Sequence, residues 1–379
     1  MPEKIPATVI TGFLGAGKTT LIRHMLQNAG GRRIALIINE FGDLGVDGEI
    51  LRGCGIEACR DEDVVELSNG CICCTVADDF VPTLQALLAR DAPPDHIVIE
   101  TSGLALPLPL VRAFNWPEIR TRVTVDGVIA VLDSPAVRAG RFVADLAAVE
   151  KQRSADATLD HETPLADLFE DQLTAADMIV ANKVDLLAAG ELAALTADLR
   201  ARVRPGVQIL PASGGAIDPS ILLGLGVGTE TAAARQGAHD RHHAKGHTHD
   251  HTHDDKHGHA HDDEHGHAHD HAHHDDHDHD AFTSAGIDLP EITAPEVLLD
   301  RLSLIIAERD LLRVKGFAAV SGKAMRLVIQ AAGPRIETYF DRPFSAEEPR
   351  RTRLVVIGLA GLDAAAIAAA LAAEPEPAA

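Results

Sequence analysis

The chain of 379 residues has little cysteine, little basic charge and no long apolar run. Lys and Arg number 34 against 57 Asp and Glu, for a formal net charge of −23. That balance argues against a nucleic-acid-binding protein, which presents a basic face. No uninterrupted apolar stretch approaches the roughly 18 residues that cross a bilayer, so no membrane association is expected. Met1 to Thr11 lacks the basic start, apolar run and small-residue cleavage site of a secretory signal. A cytoplasmic location is therefore expected. Thiols stay reduced there, and clustered cysteines more often bind metal or do redox chemistry than form disulfides. Only five cysteines are present, yet Cys71, Cys73 and Cys74 crowd into the stretch GCICC at 70–74.

What is there falls into three regions. Residues 1–222 alternate short Val/Ile-rich runs with helical patterns. The runs ATVIT (7–11), IALIIN (34–39), HIVIE (96–100), GVIAVLD (127–133), MIVANK (178–183) and VQILPAS (207–213) show little polar alternation. Such strands are buried on both faces, as in a parallel sheet covered by helices. The class is α/β, doubly wound, with a mostly parallel sheet. Residues 223–280 are low in complexity and read as a disordered His/Asp-rich linker. Eighteen of the 21 histidines lie between His239 and His279, and twelve acidic residues accompany them up to Asp280. His24, His96 and His161 lie outside this tract and carry no assigned role. Residues 281–379 read as a smaller α+β domain. Its strands are AFTSAGI, LLRVKGFAAV, AMRLVIQAA, RIETYF and RLVVIGLA. Helices are expected between Ala294 and Ile306 and after Asp363.

The stretch ATVITGFLGAGKTTL has the phosphate-loop pattern, placed between a strand and a helix. Gly12, Gly15, Ala16, Gly17, Lys18, Thr19 and Thr20 form the candidate cradle. Glycines let backbone N–H groups converge on phosphate oxygens, and the helix adds its positive N-terminus. Lys18 is expected on the β- and γ-phosphates, and the Thr19 hydroxyl on Mg²⁺. In NKVD, Asn182, Lys183 and Asp185 follow a strand. An Asp185 carboxylate can accept both donors of a guanine edge, which selects GTP over ATP, with Lys183 along the base plane. The backbone of PASGG (211–215) can touch the base from the other side. Glu100 ends a buried strand and is the candidate to orient the Mg²⁺ shell or attacking water. Gly103, three residues on, is the candidate to give its N–H to the γ-phosphate. Lys18 and Glu100 are thus the expected catalytic residues of a GTPase.

Three thiolates this close repel unless a cation compensates, and soft sulfur selects Zn²⁺, Cu(I) or tetrahedral Co²⁺ over Mg²⁺. The fourth position is open to water, a partner's ligand or Glu40. An incomplete shell suits a metal that must leave. The segment INEFGDLGVD (38–47) occupies the place of a first switch, with GCICC between it and Glu100. Metal affinity and nucleotide state are then coupled, by about 1–3 kcal/mol. The His-x-His pairs from His239 to His279 offer weak, exchangeable auxiliary metal sites.

Together GFLGAGKTT, NEFG, GCICC, ETSGLA and NKVD resemble the CobW-type metallochaperone GTPases, relatives of the nickel-inserting GTPases of hydrogenase and urease maturation. The segment with LLRVKGFAAV resembles their second domain. DGEILRGCGIEACRDEDVVELSNGCICCTVADDF looks closest to the branch associated with cobalt insertion in aerobic cobalamin synthesis. The resemblance implies metal at Cys71, Cys73 and Cys74, and GTP hydrolysis gated by metal. It implies Co²⁺ or Zn²⁺ as cargo and a metal-receiving client, such as a cobaltochelatase. The chain is expected as a monomer or a nucleotide- or metal-dependent dimer. A zinc chaperone or metalloenzyme activator shares this chemistry. A His-rich metal buffer is a different class, and Asp185 opposes an ATP-dependent kinase.

Overall fold

The computed structural model describes residues 4–38, 64–66, 80–147, 149, 154, 164–227, 282–345 and 347–372. All five cysteines, Glu40 and the tract from His239 to His279 lie outside the described residues. The first sheet comprises β1 (Ile5–Thr11), β2 (Ile34–Ile38), β3 (Val64–Glu66), β4 (His96–Glu100), β5 (Val123–Asp133), β6 (Met178–Asn182) and β7 (Gln208–Pro211). Its order is β3-β2-β4-β1-β5-β6-β7, and every pairing is parallel. Both faces are covered, so every residue of β2, β4 and β6 is buried. Alternate side chains feed cores on the two faces of the sheet. Ile10, Leu36, Val98 and Ile129 pack with Leu21, Ile22 and Met25 of helix α1 (Lys18–Gln27). Val9, Ile37, Ile99 and Val128 pack on the other face with Leu84, Leu87 and Val111.

Strand bounds shift from expectation, with β1 starting at Ile5, β2 ending at Ile38 and β7 shortened to Gln208–Pro211, and two further shifts have a visible cause. β5 begins at Val123, four residues before Gly127. Its entry carries Asp126, whose carboxylate accepts the Gly224 and Gly226 N–H groups at 2.6 and 2.7 Å. Those partners lie a hundred residues away, so the local sequence does not reveal that Asp126 can sit in a strand. β6 ends at Asn182, because Lys183 turns into the left-handed region at φ 62°.

The second sheet is antiparallel, in the order β11-β10-β9-β12-β8, from β8 (Phe282–Leu289), β9 (Arg313–Ala318), β10 (Met325–Ala332), β11 (Arg335–Pro343) and β12 (Thr352–Leu359). Helices Pro295–Glu308 and Ala364–Ala372 bury Leu298, Leu302, Ile305 and Ile367 on one face. Phe282, Leu312, Ala332 and Ile357 instead pack against the first sheet's core. Arg313, 1% exposed, donates to the carbonyls of Leu223 (2.9 Å) and Gly224. Burial pulls its pKa down to about 10, and that of Lys315 to about 8. Among the described residues no helix is long and apolar enough to cross a membrane.

His96 acquires a structural place. Its Nε2 lies 2.8 Å from Thr8 Oγ1, and Thr8 donates onward to Asp126 Oδ2 at 3.3 Å. Since Thr8 gives its proton to Asp126, Nε2 carries the imidazole proton and donates to Thr8. Burial lowers the His96 pKa from 6.5 to about 4, with Asp126 opposing and Arg32 adding to the shift. The unfolded chain therefore takes up this proton first as pH falls. The stability held by neutral His96 is complete above about pH 6.5 and drains away toward pH 4, at up to about 1.4 kcal/mol per pH unit. His96→Gln keeps a donor for Thr8 and removes the titration. Urea unfolding across this range is expected to show a fall shallower by roughly 2 kcal/mol in the variant. Parallel curves for variant and wild type would contradict this.

Candidate nucleotide site

The carboxyl ends of β1, β4 and β6 open onto a cavity of about 410 Å³. Its wall contains Leu14, Gly15, Gly17, Lys18, Thr19, Thr20, Glu100, Thr101, Ser102, Gly103, Asn182, Lys183 and Gly214. This is where a doubly wound sheet places ligands, since β1 has β4 on one side and β5 on the other. Helix α1 starts at the cavity. Gly17 precedes it in a left-handed conformation, no side chain caps its first turn, and no acid lies in that turn. Its leading N–H groups therefore remain available to an anion.

Two glycines are required by space as well as angle. A Cβ on Gly12 (φ 140°) would stand 2.2 Å from the Val131 carbonyl oxygen. One on Gly17 (φ 99°) would stand 2.2 Å from Asn182 Nδ2. Asn182 is 2% exposed and spends its amide on two loops. Nδ2 donates to the Ala16 carbonyl at 2.9 Å, and Oδ1 accepts the Gly215 N–H at 3.0 Å. Asn182, expected among the nucleotide-binding residues, is the strut joining the phosphate loop to the loop after β7. Gly214 reaches the cavity on that second loop.

The chemistry-bearing groups are held in place by their neighbours. Lys18, 8% exposed, donates to the Phe13 carbonyl at 3.3 Å. Thr19 Oγ1 donates to Glu100 Oε1 at 3.1 Å. A hydroxyl and a carboxylate side by side are hard oxygen donors, and they fit Mg²⁺. Gly103 crosses so near the phosphate loop that a Cβ would lie 2.7 Å from the Leu14 nitrogen. Its carbonyl accepts from the buried Gln172 Nε2 at 3.2 Å. Lys183 Nζ meets Asp133 Oδ2 at 2.6 Å.

Of the candidates, Gly15, Gly17, Lys18, Thr19, Thr20, Glu100, Gly103, Asn182 and Lys183 converge on one cavity. Gly12 and Ala16 stand behind it, supplying the turn and a carbonyl. Asp185 is exposed in the short 3₁₀ turn Val184–Leu186 and does not line the cavity. Cys71, Cys73, Cys74, Glu40 and the histidine tract lie outside the described residues. Among the described residues no cluster of three His, Cys, Asp or Glu could hold a metal. Sequence reasoning passed over Thr101 and Ser102. Ser102 is 4% exposed, and its hydroxyl has no hydrogen-bond partner among the described residues. Its place between Glu100 and Gly103 was the available signal.

Residues 6–211 match the nucleotide-binding domain described as CobW/HypB/UreG. The chain belongs to this family. Residues 287–374 match the domain described as Cobalamin synthesis protein cobW C-terminal domain. A CobW/HypB/UreG protein of this construction is a P-loop GTPase. Among curated relatives, "Zinc chaperone CobW" of a Sinorhizobium species is 55% identical over 97% of this chain and 96% of its own length. "Zinc chaperone CobW" of Pseudomonas aeruginosa is 50% identical over 96% and 90%. "Zinc-regulated GTPase metalloprotein activator 1" of Schizosaccharomyces pombe is 35% identical over 50% of this chain and 41% of its own.

If Asn182 is a strut, its loss must be felt without nucleotide. Asn182→Ala strands a buried carbonyl and a buried N–H. Urea unfolding of the nucleotide-free protein is expected to show a loss of about 1–3 kcal/mol. Wild-type stability with weaker nucleotide binding alone would contradict the assignment.

Proposed function

We propose that the protein is a GTP-dependent metallochaperone, loading a divalent transition metal on Cys71, Cys73 and Cys74 and releasing it to a client. The observation that carries the nucleotide half is the Thr19–Glu100 hydrogen bond beside the uncapped start of α1. It joins a phosphate cradle to a metal-fitting pair of oxygens. On GTP binding, Lys18 exchanges the Phe13 carbonyl for the β- and γ-phosphates. The N–H groups of Gly15, Gly17 and Thr20 take phosphate oxygens, and Thr19 and Glu100 are the residues that would hold Mg²⁺. When bound, Mg²⁺ would supply positive charge to offset that which builds up on the phosphate oxygens as the γ-phosphoryl group leaves. Gly103 gives its N–H to the γ-phosphate and loses that contact on hydrolysis. Asp185 swings onto the guanine edge from its exposed turn, with Lys183 along the base plane.

The metal half rests on the cysteine motif and on relatives named as zinc chaperones. With the ordinary affinity order, in which Zn²⁺ exceeds Co²⁺, they favour zinc as cargo. Glu40 completes the shell in the loaded state, and the tract from His239 to His279 serves as an auxiliary reservoir. Cobalt delivery to a cobaltochelatase is the second reading, favoured by the cobalamin-synthesis description of the C-terminal domain. The carrier works as a monomer or a dimer formed with nucleotide and metal, in a reducing compartment.

Anaerobic titration with Zn²⁺ and Co²⁺ against a chelator tests this, in the full chain and in a variant lacking residues 239–280. With Mg²⁺ and a non-hydrolysable GTP analogue, one equivalent is expected to bind at least tenfold tighter than with GDP. Cys73→Ser is expected to abolish that site, and Zn²⁺ to outcompete Co²⁺. Affinity indifferent to nucleotide, or capacity lost with the histidine tract, would leave a metal buffer instead.

A further inference from the structure

Asp133 belongs to no nucleotide-binding motif, yet it grips the candidate base-binding segment. It is the last residue of β5, is 4% exposed, and pairs in register with Asn182 of β6. Its two oxygens do different things. Oδ1 accepts the Ala136 N–H at 3.0 Å and caps the helix Ser134–Arg138. Oδ2 lies 2.6 Å from Lys183 Nζ. The lysine side chain is 30% exposed and lines the cavity. Its backbone adopts a left-handed conformation rare for a residue with a long side chain.

A free lysine stem has four rotatable bonds, and ordering it on ligand binding costs affinity. A buried carboxylate that already holds the ammonium removes much of that cost. The short charge-assisted contact lays the methylene stem across the ends of β5 and β6, beside the cavity. We propose that Asp133 is a positioning residue for the base end of the nucleotide site. It pins Lys183 so that the stem forms a preorganised wall for a purine ring. This rests on the reading that Asn182–Asp185 receives guanine.

The two roles of Asp133 separate cleanly. Asp133→Asn keeps an acceptor for Ala136, since Asn caps helices about as well as Asp, but it loses the charge. Lys183→Met keeps the stem and loses the ammonium. The test is a double-mutant cycle on GDP affinity of the full chain with Mg²⁺, read with a fluorescent GDP analogue. Nucleotide-free urea unfolding is followed in parallel. Each single variant is expected to weaken GDP about tenfold, and the double variant no more than either. The unfolding midpoint of Asp133→Asn is expected near wild type. GDP affinity retained in Asp133→Asn, or losses that multiply in the double variant, overturns the inference. If Asp133→Asn does not fold, Lys183→Met alone decides. Wild-type affinity there overturns the inference, and a tenfold loss upholds it.

Failure of the underlying reading looks different. In that case wild type shows no preference for GDP over ADP, or Asp185→Ala leaves the preference intact, and both readings fall. A preference that depends on Asp185, with Asp133→Asn neutral, removes the Asp133 inference alone.

Discussion

One buried side-chain amide holds the candidate site in shape. Asn182 stands at the end of β6, with the phosphate loop on one side and the loop after β7 on the other, and it bonds to both. Phe13 and Ala16 anchor the first loop in the cores, and Ala212 and Ile217 anchor the second. The spacing between Gly15–Thr20 and Gly214 is set by this amide and by the strands beneath it. The glycine at position 17 follows from the same constraint, since any Cβ there would occupy the place of Asn182 Nδ2. A buried amide with both ends satisfied is rigid, because losing either bond leaves an unpaired group without water.

The sheet explains why these pieces meet. Parallel strands put all their carboxyl ends at one edge, so residues far apart in sequence arrive together: Thr11 to Thr19, Glu100 to Gly103, Asp133, and Asn182 to Lys183. The opposite end is closed by a second buried polar group. Asp126 is shared by Thr8 and the N–H groups of Gly224 and Gly226, while Arg313 of the second sheet holds the adjoining carbonyls. One end of the sheet is thus left open to a ligand, and the other is tied to the antiparallel domain.

Much of this architecture was legible in the sequence because its causes are local. Strands buried on both faces read as continuous Val/Ile runs, and HIVIE is β4 residue for residue. The phosphate loop is legible because its backbone angles demand glycine at fixed places. What stayed hidden depends on neighbours distant in the chain. The start of β5 carries Asp126-Gly127, a pair with the composition of a turn, and the bonds of Thr8, Gly224 and Gly226 to Asp126, with Leu225 packed on Gly127, hold it in a strand. β3 is three residues long, too short for any periodicity. Asn182 reads as part of the nucleotide motif, and its hold on two loops depends on Ala16 and Gly215, which are distant in the chain. Asp133 had no motif to announce it.

The phosphate loop, Asn182 and the 211–215 loop are held so as to respond to nucleotide as one body. Hydrogen–deuterium exchange of the wild-type protein, with and without GDP and Mg²⁺, tests it most directly. Joint slowing is predicted in peptides covering 12–20, 101–104 and 211–216. The same experiment on Asn182→Ala is predicted to leave 211–216 unprotected while 12–20 still responds. Protection confined to 12–20 in the wild type, or unchanged at 211–216 in the variant, would contradict it.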